Sequence, residues 1–150
     1  MAFDNHSSAR SPMYRRTVWW GLLLVLLFNL VGNGYWIRTN QVIIGHDAGG
    51  HLERSLEVAN LLTRSTPQTF FQALTYHHYR PPLLYLSTQP FYGLLGRSFD
   101  SAQWGIIAWL LVIVLLTFAY GRALANERVG LLAAALVGLL PMILAMSRLY

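Results

Sequence analysis

Residues 17–37 carry no charged side chain, and residues 102–120 (AQWGIIAWLLVIVLLTFAY) and 129–146 (VGLLAAALVGLLPMILAM) repeat that pattern. Each is close to the ~20 apolar residues that a helix needs to cross a bilayer core. In hydrocarbon every backbone N–H and C=O must be paired within the protein, so single apolar runs of this length form helices. Composition points the same way: charged residues make up 11% of the chain, against roughly 25% in a soluble domain. The sequence therefore predicts an all-α integral membrane protein with three transmembrane helices. Trp19, Trp20, Tyr35 and Trp36 lie near the ends of the first, where amphipathic rings favour the interface. Asn29 and Asn33 are four apart and share one face. They predict hydrogen bonds to a neighbouring helix, with a substrate contact as the alternative.

The eleven basic residues are all arginine, and the net charge is +5. They sit singly or in pairs beside the apolar runs, and no basic patch marks a nucleic-acid partner. No cysteine is present, which excludes disulfides and thiolate metal sites. Residues 1–16 read as a polar cytoplasmic tail whose Arg15 and Arg16 anchor the cytoplasmic side, rather than as a twin-arginine export signal. The short connection GRALANER carries Arg122 and Arg128 and also belongs in the cytoplasm. An even number of crossings must then precede it. Residues 83–96 are short for a span and contain Pro90, so they are placed along the outer membrane surface. The loop 38–101 becomes extracytoplasmic, and the chain a multi-pass protein of the plasma (inner) membrane.

That outer loop concentrates the polar chemistry, with three of the six acids and four of the five histidines between residues 43 and 85. After Asp47 the pattern reads as an amphipathic helix through about Leu62, with Leu52, Leu56, Ala59 and Leu62 on its apolar face. Pro67 breaks it, and an aromatic-rich second short helix follows. Asp47, His51 and Arg54 fall on one face beside Gly49 and Gly50, where a missing side chain lets a ligand approach. Asp47 reads either as a general base or as a helix N-cap, and His51 as a base, a ligand or an interfacial histidine. Glu53 and Glu57 read as solvated, with Arg54 a partner for Glu57. Adjacent His77 and His78 point apart on regular structure, and no metal-ligand spacing stands out. Arg80 precedes Pro81 and Pro82, which hold the backbone extended. Its fork suits a phosphate, and headgroup snorkelling is the alternative.

Taken in order, a first span, HDAGGHLERSLEVANLL, YRPPLLYL and a segment ending LLPMILAMSRLY resemble the N-terminal part of a GT-C-type membrane glycosyltransferase. The similarity is to the branch that contains protein mannosyltransferases and aminoarabinose transferases of lipid A, and it covers nearly all of the chain after residue 17. It implies a partial GT-C fold, with amphipathic juxtamembrane helices in the first outer loop. It also implies transfer of a sugar from a polyprenyl-phosphate donor to an acceptor hydroxyl on the outer face. Asp47 takes the place of the first-loop catalytic acid, and His51, Arg80 and Tyr85 are assigned to substrate binding, Arg80 at the lipid phosphate. The implied partners are membrane lipid and the lipid-linked sugar phosphate. No cofactor is called for, and a divalent metal stays open. The chain departs from the family pattern at Ala48, where many members carry a second acid, and a further acid is expected just beyond Tyr150. The resemblance therefore implies an N-terminal fragment, inactive as 150 residues alone. The rival reading is a non-catalytic, small membrane subunit whose outer loop binds a partner or lipid headgroup. A transporter fragment is a third reading, disfavoured because no span carries an acid or base.

Overall fold

The computed structural model describes residues 12–40, 47–64, 66–75 and 82–149, and every element among them is helical. The first helix, α1 (Pro12–Thr39), is 28 residues long. It begins inside the stretch read from sequence as a polar tail. Proline suits its first turn, where no N–H partner is needed. The next three helices, α2 (Ala48–Thr63), α3 (Pro67–Thr75) and α4 (Leu83–Leu95), precede α5 (Phe99–Leu124), with α6 (Glu127–Leu139) and α7 (Pro141–Met146) closing the chain. Two of these, Arg16–Thr39 and Phe99–Leu124, are long and apolar enough to cross a membrane.

The third expected span is divided. Leu140 has extended backbone (φ −62°, ψ 122°) and separates α6 from α7. The cause is Pro141, whose ring disfavours helical backbone in the residue before it. In its place α6 offers a closely packed face. Gly130, Ala134 and Gly138 recur every four residues and are all buried. A Cβ on Gly130 would lie 2.5 Å from the Phe118 carbonyl oxygen, and one on Gly121 2.9 Å from the Gly130 Cα. Only glycine lets the two backbones meet so closely. Val18, Leu22 and Val25 of α1 join Leu110, Val114 and Phe118 of α5 and Ala134 of α6 in one core.

The turns are built from short polar signals. Asn126 caps α6 by accepting from the N–H groups of Arg128 and Val129 at 3.0 and 3.2 Å. This two-residue connection makes α5 and α6 antiparallel neighbours. Arg122 and Glu127 face each other across it at 3.7 Å; the arginine is largely solvated, so the pair adds little stability. Gly96, with φ 87°, ends α4 in the left-handed region that glycine tolerates. Ser98 then caps α5 by accepting from the Ser101 N–H at 3.1 Å.

The bundle has two distinct ends. At one, Trp19 packs on Phe118 with ring centroids 5.4 Å apart, and Arg122 lies over Trp19. At the other, Trp104 sits against Gly34, while α2 and α4 cover the first turns of α5 through Ala59, Tyr92 and Ala102. Helix α4 has 13 residues, hence about 20 Å of length, against the roughly 30 Å of a hydrocarbon core. It docks on α5 where Gly105 admits Thr88.

Asn29 and Asn33 behave differently from each other. Both are buried, and each Nδ2 donates at 2.9 Å to a carbonyl of its own helix, Val25 and Asn29 respectively. Only Asn33 also reaches a neighbour, its Oδ1 accepting from Ser147 Oγ and Arg148 Nε. The expected bonding between helices is therefore made by one asparagine of the two.

Candidate functional site

Asp47 stands at the N-cap position of α2, yet its side chain makes no capping hydrogen bond (φ −121°, ψ 5°). Its carbonyl does begin the helix, accepting from the His51 N–H at 3.0 Å. The carboxylate instead folds over Gly50. A Cβ there would lie 3.1 Å from Asp47 Oδ1 and 3.8 Å from Arg54 Nη1. Helical side chains lean toward the helix N-terminus, which brings Arg54 back one turn to the same patch rather than forward to Glu57. Its Nη1 is buried without a hydrogen-bond partner. The glycine thus leaves a shallow floor with an acid on one side and an unsatisfied cationic donor on the other.

His51, on the same face of α2, is fixed from the inside. Its Nδ1 lies 3.2 Å from Tyr85 Oη, with the rings tilted by 40° at 5.9 Å. Tyr85 is 1% exposed and packs with Val58 and Ala73. Read from sequence as a substrate contact, it is a core side chain that holds His51 in one orientation. The seam continues along both helices. Ser55, one turn beyond His51, bonds Tyr92, and Gln89 Nε2 donates to the Ser55 carbonyl at 3.2 Å and the Tyr85 carbonyl at 2.6 Å. Such a buried, satisfied polar seam specifies one register of α4 on α2.

The sequence pattern placed Asp47, His51 and Arg54 on one face; the structure brings Asp47 and Arg54 together over Gly50 and turns His51 to Tyr85. Arg80, His77 and His78 lie outside the described residues. The bonding of Ser55 on α2 to Tyr92 and Gln89 on α4 was missed from sequence. Spacing held the signal: His51, Ser55 and Ala59 recur every four residues on α2, and Tyr85, Thr88 and Tyr92 share a face of α4. Among the described residues no group of three His, Asp or Glu converges as a metal site. The chain matches no family model, and no characterised protein or solved structure is detectably similar to it.

Proposed function

We propose that the chain belongs to a GT-C-like membrane glycosyltransferase that moves a sugar from polyprenyl phosphate to an acceptor hydroxyl on the extracytoplasmic face of the plasma membrane. In this reading α6 and α7 cross together as a third span, the N-terminus is cytoplasmic, and residues 38–101 lie outside. The acceptor oxygen attacks the anomeric carbon, the carbon–oxygen bond to phosphate breaks, and polyprenyl phosphate leaves with the electron pair. Asp47 orients the hydroxyl and takes its proton. Arg80 binds the lipid phosphate and stabilises the charge that develops there, and Arg54 supplies a second cation beside the acid. His51, held by Tyr85, lines the acceptor side.

The observation that supports this most is the direction of the Asp47 carboxylate, which lies over Gly50 and does not cap α2. Transfer of labelled sugar from polyprenyl phosphate, assayed in membranes that carry the whole open reading frame, tests it. Asp47→Asn should lower turnover by about 100-fold or more, the usual range for loss of a general base, with insertion unchanged. Near-normal turnover in that variant would make Asp47 structural. No transfer by the unsubstituted protein would favour the non-catalytic subunit.

A further inference from the structure

The end of α1 holds a second cationic constellation, distinct from the one on α2. Behind α7 the chain turns back, and the Arg148 carbonyl accepts from Gln103 Nε2 of α5 at 2.9 Å. The Arg148 side chain then lies on α1. Its guanidinium carbon is 4.7 Å from the centre of the Trp36 ring, and its Nε donates to Asn33 Oδ1 at 3.3 Å. Ser147 donates to the same oxygen at 3.4 Å. Two contacts therefore fix the plane of the guanidinium, one through its face and one through its inner edge. Among the described residues no acceptor engages the outer edge, Nη1 and Nη2, and no carboxylate touches it. Beside it, the Trp36 Nε1–H is withdrawn from solvent and has no hydrogen-bond partner.

Each of these groups donates only. A half-buried arginine with no acid among the described residues, next to an unpaired indole N–H, is costly as it stands. One oxyanion would satisfy both. A guanidinium held flat presents two parallel N–H donors, the geometry that phosphate oxygens accept. The neutral Asn33 orients this fork without cancelling its charge.

We propose that Arg148 and Trp36 form a binding site for a phosphate oxyanion at the junction of α1, α5 and the segment after α7. The site is independent of the transferase reading. Its phosphate comes either from a lipid headgroup at the membrane surface or from solution, and the experiment separates the two. The protein is labelled with 15N-tryptophan in maltoside micelles, which contain no phosphate, and the Trp36 indole signal is assigned by its loss in Trp36→Phe. Inorganic phosphate is titrated in one arm and a short-chain phosphatidylglycerol in the other. A saturable shift of the Trp36 signal is expected in at least one arm, and the arm that responds identifies the source. Arg148→Gln should abolish it, while Arg148→Lys, which keeps the charge but not the fork, should weaken binding by about tenfold. The backbone bond to Gln103 survives both substitutions, and the remaining indole signals report whether the bundle is intact. No saturable shift in either arm, or a shift that persists in Arg148→Gln, would overturn the site.

Discussion

Gly50 and Asp47 pull α2 in opposite directions. Glycine inside a helix costs about 1 kcal/mol relative to alanine, so Gly50→Ala should strengthen the helix. The added methyl would, however, stand 3.1 Å from Asp47 Oδ1, and the carboxylate must move aside. We expect Gly50→Ala to raise the melting temperature slightly and to reduce sugar transfer, a split that packing alone does not produce. Equal activity at higher stability would show that the position of the carboxylate is immaterial. At this scale the sequence was readable where neighbours lie within one turn. The Asp47, His51 and Arg54 face follows from helical spacing. The absence of a cap at Asp47 does not, because it depends on where the carboxylate turns once the backbone is set. The Ser55–Tyr92 bond joins residues on two helices and becomes visible only when those helices dock.

Among the elements, the crossing of α5 and α6 rests on Gly121 and Gly130. A Cβ at Gly130 would press on backbone atoms, the Phe118 carbonyl and the Arg122 nitrogen at 2.9 Å, which have no rotamer to yield. Gly130→Val should therefore part the helices and cost on the order of 1–3 kcal/mol, seen as a lower unfolding midpoint in detergent. Gly32→Val is the matched control, since nothing lies within 4 Å of the Cβ position there. Loss of stability in both variants alike would point to a general effect of the larger side chain rather than to the crossing. The elements themselves were legible from apolar runs and breakers: α2 begins after Asp47 and stops before Pro67, and α4 ends at Gly96. The division of residues 129–146 was not read, because proline inside an apolar stretch fits either a kinked span or two helices. The backbone at Leu140 decides between them.

For the whole molecule, the start of α1 and the α5–α6 turn share one end, and α2 and α4 lie at the other. The chain has no cysteine, so single reporters can be placed cleanly. In intact cells a membrane-impermeant maleimide should label Asn60→Cys and leave Ala125→Cys untouched until the membrane is opened. Labelling of both from outside would place the two ends on one side and sink the topology. Both positions are exposed, so a failed reaction reflects sidedness and not burial.

The two-residue link between α5 and α6 also bears on how the protein is made. Neighbours joined so closely pay almost no loop-closure entropy, whereas bringing α1 onto them closes the long excursion from Asn40 to Ser98. Helices α5 and α6 would therefore pair as soon as both have left the ribosome, on a timescale set by local diffusion. Helix α1 must wait for that pair, with Asn29 and Asn33 still lacking their final surroundings. Its dwell time before docking is then the interval in which quality-control proteases have their best opportunity. Two polypeptides divided within that excursion should still find each other, because the interface that unites them needs no covalent continuity.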